Sequence, residues 1–579
     1  MKIKHLFGLA VIAAMTASCS SNEDLGTPGT GTNEAGVGYA TFTINLPSVS
    51  GTRAVGDPTY DQGTAKEYDV NDVTLLIFKK AGSSEGDYTF VEKADLGTMA
   101  PWKDENNSNG ITASSTITAK LNNVALTSEG STSDYYALAI LNNKNAADEN
   151  KITLPTSTTA TYSGWNEASN ADETKFKDNT KGFYMANAPV FVAGGEPTTL
   201  VNINRVYATK QKAETNAATT IHVERGLAKV SIHSNTFPST ITPSGTKYTG
   251  DKVDITAWKL DVTNKSTFPI HKTAGLTTNF STIWSNTTTT GASVTRFVDG
   301  SNPSFKRVHW GIDPNYSTAL DDLSDCQGAF TVLPADATID GAANEPQYCL
   351  ENTFDIEHMK QGQTTRVVFK ATYTPKGLPA GEKTFYKIGN STDLWSEANL
   401  IAQIKAKAAE VLSVASSAIT VDLDATENDI KNNAGTKLLV KENVKNGGTA
   451  VSPADIAKIN EKLGLKAATT TDPIVGIATY KDGESYYIAR IKHFGALTPW
   501  TEGQDTYGTN NDENNTKYLG RYGVLRNNWY ELTIGSVSGP GTPDVPTIKP
   551  DVPDDENYRY ISVSVKILSW AKRSDTVDL

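Results

Sequence analysis

The chain has 579 residues, 38% of them hydrophobic, and carries 65 acidic against 53 basic side chains for a net charge of −12. That balance excludes nucleic acid as a partner, because phosphates call for a basic face, and suits a surface that repels its own kind except where docking is specific. Thr, Ser, Asn and Gly are abundant and long helical periodicities are few, so a chain long enough for two or three domains is expected to be mainly β and built of sandwiches.

Taken in chain order, the first element is an export address over residues 1–19. Lys2, Lys4 and His5 form a positive start, Leu6 to Met15 is an apolar stretch too short to span a bilayer, and Thr16-Ala17-Ser18 lead into Cys19. This is the pattern of a lipoprotein signal, in which Cys19 is acylated and gives stable attachment to a membrane. Thr16 stands where an aliphatic residue is usual, and a plain secretory signal is the alternative. A polar tether follows from residue 20, and then a strand in which Ala40, Phe42, Ile44 and Leu46 alternate with Thr41, Thr43 and Asn45. Arg53 comes next. It is the first arginine of the chain, the second being Arg205, and its surroundings, Ser50-Gly51-Thr52-Arg53-Ala54, are small residues suited to a cleavable surface loop. An arginine-specific protease cutting between Arg53 and Ala54 would remove residues 20–53 with their strand.

A first β-sandwich is expected over 54–217, with central strands at Val73 to Phe78 and Tyr135 to Leu141, both near-continuous apolar runs. A second is expected over 218–537, opening with the strand in 221–232 and continuing through strands at Thr365 to Tyr373, Tyr486 to Lys492 and Trp529 to Ile534. Within it, a helical insertion is predicted at about 395–465. Leu400, Ile404, Ala408 and Val411 share one helix face, and a second helix has Ser452 as N-cap, Pro453 at its first position, Ile456, Ile459 and Leu463 as its stripe and Gly464 as its stop. Cys326 and Cys349 would allow one disulfide in an oxidising compartment, or remain as two buried thiols. The seven histidines show no metalloprotease spacing and there is no nucleophile motif, so no catalytic residue, metal or cofactor is expected.

The C-terminus mirrors the N-terminus. A proline-rich tether at 538–557, with Pro540, Pro543, Pro546, Pro550 and Pro553, precedes a terminal segment 558–579 in which Ile561, Val563, Val565 and Ile567 alternate with polar residues. An extended tether of that length would span roughly 60 Å at about 3.1 Å per residue. If cleavage after Arg53 removes the N-terminal strand, the opened groove exposes apolar core and unpaired backbone groups. The terminal strand of another copy is the expected filler, in a head-to-tail arrangement that propagates.

These features together resemble the Mfa-type fimbrillins, the major shaft subunits of type V pili. The resemblance is carried by the start through Cys19, the Arg53-Ala54 junction, VERGLAKVSI at 223–232, YCLENTFDIEHMKQGQTTRVVFKATY at 348–373, RNNWYELTIGSV at 526–537 and ISVSVKILSWAKRSDTVDL at 561–579. It implies two tandem sandwiches of transthyretin-like topology and a lipidated outer-membrane precursor activated by an arginine-specific surface protease. Polymerisation would follow by donor-strand insertion, with tip, accessory and anchor subunits as partners. The finished fimbria would adhere to host or bacterial surface receptors in a biofilm. The competing readings are a lipid-anchored glycan-binding protein, with Trp310 or Trp500 as an exposed platform, and a tip or anchor subunit.

Overall fold

The computed structural model describes residues 37–47, 67, 69–97, 103–104, 111–126, 132, 134–178, 181–191, 196–245, 247–276, 307–469, 473–493, 520, 522–554 and 561–569. The chain is mainly β. Strands β1 (Gly38–Pro47), β2 (Val73–Lys79), β3 (Thr89–Gly97), β4 (Ile111–Leu121), β5 (Tyr135–Leu141), β6 (Met185–Asn187) and β7 (Thr219–Arg225) follow one path, β3-β2-β5-β6-β7-β1-β4. β7 divides its pairing, running parallel to β1 over Thr219 to His222 and antiparallel to β6 over Val223 to Arg225. The path therefore folds over on itself. Phe42, Ile44 and Leu46 of β1 meet Leu75 and Ile77 of β2 and Ala139 and Leu141 of β5 in a single buried cluster. The apolar runs of β2 and β5 have a physical reason: their other faces are covered too, Leu76, Phe78, Leu138 and Ile140 packing with Tyr162 and Trp165.

A single glycine separates the two sandwiches. After Gly226 the chain continues as β8 (Leu227–Ile232), followed by β9 (Lys252–Asp261), β10 (Gln347–Leu350) and β11 (Arg366–Thr374). Then comes an inserted unit holding β12 (Phe385–Ile388), β13 (Leu394–Trp395) and β14 (Ile477–Tyr480), and after it β15 (Glu484–Arg490), β16 (Asn528–Val537) and β17 (Ile561–Ser569). Sheet β10-β8-β16-β17 and sheet β9-β11-β15 enclose a core that includes Val230, Ile232, Trp258, Phe369, Tyr530 and Leu532. The stretch 221–232, expected as the opening strand of the second sandwich, is thus shared between both. At Gly226 a Cβ would lie 2.3 Å from Phe176 Cδ1, so only glycine lets the chain pass this crossing.

The insertion is larger than its helices. β11 and β15 pair directly, Thr372 opposite Glu484, and everything between hangs from that hairpin. Helix α1 (Glu397–Leu412) is capped by Ser396 and buries Leu400, Ile404 and Ala408; helix α2 (Pro453–Lys462) is capped by Ser452 and buries Ile456 and Ile459. With Tyr386, Ile419, Ile430, Val444 and Ile477 these residues form a core of the unit's own.

Candidate functional site

The strand that the sequence marks for removal lies inside its sheet. β1 is antiparallel to β4 from Gly38 opposite Leu121 to Leu46 opposite Ala113, and parallel to β7 from Phe42 opposite Thr219 to Asn45 opposite His222. Ala40, Phe42 and Ile44 are 0% exposed and Leu46 2%. On the other face Thr41 and Thr43 exchange hydroxyl hydrogen bonds with Thr118 and Thr116 at 2.9 and 3.0 Å. Tyr39 and Tyr207 add a reciprocal backbone pair at 2.7 and 2.8 Å. Burial of Phe42, Ile44 and Leu46 contributes about 1.5–3 kcal/mol each. Removing β1 would leave a slot with backbone partners on both walls and apolar core at its floor.

The terminal strand is in place on its own molecule. β17 occupies the outer edge of its sheet and is antiparallel to β16, with Ile561 opposite Val537, Val563 opposite Ile534, Val565 opposite Leu532 and Ile567 opposite Tyr530. Its sole neighbour in that sheet among the described residues is β16.

The proline-rich segment differs from a free spacer. Thr542 exchanges backbone hydrogen bonds with Tyr486 at 2.9 and 3.0 Å, Gln361 N–H donates to Val552 O at 2.8 Å, and Asp554 N–H donates to Met359 O at 3.1 Å. The Asp554 carboxylate accepts from the Thr364 hydroxyl at 2.9 Å. Val545 is 1% and Ile548 3% exposed. The physical reason is apolar side chains set between the prolines, which composition alone hides. The segment up to Asp554 is a strap on its own sandwich, and the 60 Å reach expected of 538–557 does not apply to it.

Other predicted residues fall out as follows. Cys19, Arg53, Ala54 and Trp500 lie outside the described residues. Cys326 and Cys349 are free and buried in separate clusters, so the disulfide gives way to the alternative of two thiols. Burial pushes the Cys326 thiol up to about 11. Trp310 is 1% exposed, packed edge-on against Phe354, and is no surface platform.

Sequence reasoning missed the polar weld between the sandwiches. Glu224 of β7 accepts from Arg307 Nε at 2.9 Å and lies 2.8 Å from His271 Nδ1. The other ring nitrogen of His271 faces Glu351 at 3.5 Å, and Glu351 accepts from Arg526 Nε at 3.0 Å. Beside it, Lys229 of β8 pairs with Glu67 at 2.8 Å. The signal available was the charged pair Glu224-Arg225 set in the middle of an apolar strand run. Burial raises the Glu224 carboxyl, but Arg307 and then His271 outweigh it and hold it down to about 2, from an ordinary 4.5. Its contribution to stability is therefore present above about pH 4.5 and lost as pH falls towards 2. Glu224→Gln leaves Arg307 buried without its counter-charge. It should cost about 3–5 kcal/mol at pH 7, with the difference from wild type shrinking at pH 3, measured by urea unfolding at both pH values.

Residues 478–576, which contain β15, β16, the strap and β17, match the family described as major fimbrial subunit protein type IV, fimbrillin, C-terminal. No curated protein sequence matches the chain. A fimbrilin (fimA) structure from Porphyromonas gingivalis W83 is similar over 93% of this chain and 99% of its own, at 11% identity and TM-score 0.34. The tip fimbrial protein Mfa3 from Porphyromonas gingivalis is similar over 92% and 100%, at 10% identity and TM-score 0.30. A structure from Parabacteroides distasonis described as a fimbrial assembly protein is similar over 62% and 93%, at 11% identity and TM-score 0.27. Scores at this level carry no role over to the chain. The class defined by the C-terminal match is that of structural pilus subunits, whose place is the fimbrium on the cell surface. Over 478–576 the chain is similar to the fimbrillin family, which supports the resemblance to the Mfa-type fimbrillins.

Proposed function

We propose that this chain is a shaft subunit, exported as a precursor lipidated at Cys19 to the outer membrane, cut between Arg53 and Ala54 by an arginine-specific surface protease, and polymerised by insertion of β17 into the first sandwich of the next copy. Tip, accessory and anchor subunits would complete the fimbria, which would bind host or bacterial receptors and support a biofilm. The observation that carries this reading is a contrast between two strands. β1 has ten register pairs on one side and four on the other, whereas β17 has, among the described residues, nine pairs on one side alone.

Three consequences follow from that contrast. While β1 is seated, its slot is full and polymerisation is blocked. Cutting after Arg53 severs β1 from its sandwich, so that only non-covalent contacts hold it. A β17 arriving from another copy would then exchange an edge position, with one ladder, for an internal one with two, and the additional backbone pairing favours the polymer over the parked tail. Because the strap holds the chain down to Asp554, the incoming sandwich must approach the end of the subunit where Asp554 meets Met359 and Thr364.

The test is N-terminal sequencing and electron microscopy of filaments sheared from cells carrying wild-type protein or Arg53→Ala. Wild-type filaments should begin at Ala54, and the variant should remain cell-bound without filaments. Filaments of normal length from the variant would defeat the activation step.

A further inference from the structure

The slot that β1 fills carries a pattern on its polar side as well as on its apolar floor. The Thr41 and Thr118 hydroxyls share a hydrogen bond at 2.9 Å and those of Thr43 and Thr116 one at 3.0 Å, while Asn45 stands opposite Ser114 on β4 and His222 on β7. Asn45 Oδ1 is buried with no hydrogen-bond partner among the described residues. Along β1 the polar side therefore runs hydroxyl, hydroxyl, non-hydroxyl, interleaved with Ala40, Phe42, Ile44 and Leu46 on the floor. The tail has the same order. Ser562, Ser564 and Lys566 alternate with Ile561, Val563, Val565 and Ile567, so one placement matches both sides of the strand at once.

Other placements lose the match. A slip of one residue turns every apolar side chain to the wrong face. A slip of two in one direction sets Arg559 in the seat of Ala40, which is 0% exposed in a cluster of apolar residues that offers no counter-charge. A slip of two in the other direction brings Lys566 to the seat of Thr43, opposite Thr116, and Ser569 to the apolar seat of Leu46. A reversed tail would lie parallel to β4 and antiparallel to β7, and the two kinds of ladder need differently placed backbone donors and acceptors. It would also set Lys566 at the seat of Thr41, which is 8% exposed. Given that β17 of the next copy fills the slot, as proposed for the function, we infer that it enters in the direction and register of β1, with Ser562 in the seat of Thr41 opposite Thr118 and Ser564 in the seat of Thr43 opposite Thr116. The two β4 threonines then give each tail serine a hydroxyl partner in this register, and Lys566 falls where β1 itself leaves a polar atom unsatisfied.

Paired cysteines in full-length chains test the register. In the uncleaved precursor, Thr41→Cys with Thr118→Cys should close a disulfide within the molecule under mild oxidation, since the hydroxyls they replace lie 2.9 Å apart. In cleaved, assembled protein, Thr118→Cys with Ser562→Cys and Thr116→Cys with Ser564→Cys should each give a ladder of covalent multimers on non-reducing gels. Chains carrying only one new cysteine set the background from Cys326 and Cys349. Thr118→Cys with Ser564→Cys, Thr116→Cys with Ser562→Cys, and Thr118→Cys with Lys566→Cys report the two slipped registers and the reversed tail, and should give no ladder. A ladder from one of these in place of the matched pairs would overturn the register while leaving donor-strand insertion standing. Filaments that give no ladder with any pair, although the precursor control closes, would overturn the insertion of the tail itself.

Discussion

Deleting residues 558–579 from the cleaved subunit should leave monomers that form neither ladders on gels nor filaments under the microscope. The slot vacated by β1 then has no filler, although β4 and β7 still offer it two walls. The deletion also bares the β16 edge, since β17 covers it in the intact molecule, so some loss of stability in the second sandwich is expected alongside. A synthetic peptide of 558–579 separates the two effects. Added to the truncated subunit it should raise the Tm, and added to the intact cleaved subunit it should cap growth and shorten filaments. Long filaments from the truncated protein would mean that the tail is not the connector.

Ile44→Asp in the uncleaved precursor should produce the opposite result: assembly without the protease. Ile44 is 0% exposed in the cluster shared by β1, β2 and β5. A carboxylate there has no counter-charge in the cluster, and losses above about 4 kcal/mol are typical of such burial. That is comparable with what the apolar residues of β1 contribute, so the strand should leave its slot while still covalently attached. Multimers by size-exclusion chromatography, formed with residues 20–53 still present, are the expected reading. To distinguish an opened slot from an unfolded domain, the 558–579 peptide should restore the melting temperature of the variant. A folded, monomeric Ile44→Asp precursor would show that β1 does not gate assembly.

Much of the local structure was legible. The alternation of Ala40, Phe42, Ile44 and Leu46 reports a strand with one buried face because side chains alternate along any extended chain, and that is how β1 is built. Both helices were readable from spacing and caps, down to Ser452 accepting from Asp455 N–H and Pro453 at the first position. These are effects of neighbours within a few residues. The end match of β17 to β1 could likewise be read off as four apolar residues at every second place.

What the sequence determined by itself, then, was the form of the strongly patterned segments, among them the strands at 40–46, 73–78 and 135–141 and the two helices of the insertion, and that the two termini carry equivalent patterns. Only the tertiary structure decided that β1 is internal and β17 peripheral, because pairing to residues 111–121 and 219–222 is chosen by long-range register and not by the strand's own composition. The same holds for the strap, whose prolines look like a free tether until Val545 and Ile548 find a surface to bury against, and for the weld. There, Glu224, His271, Arg307, Glu351 and Arg526 come from five distant stretches and meet in one buried polar network.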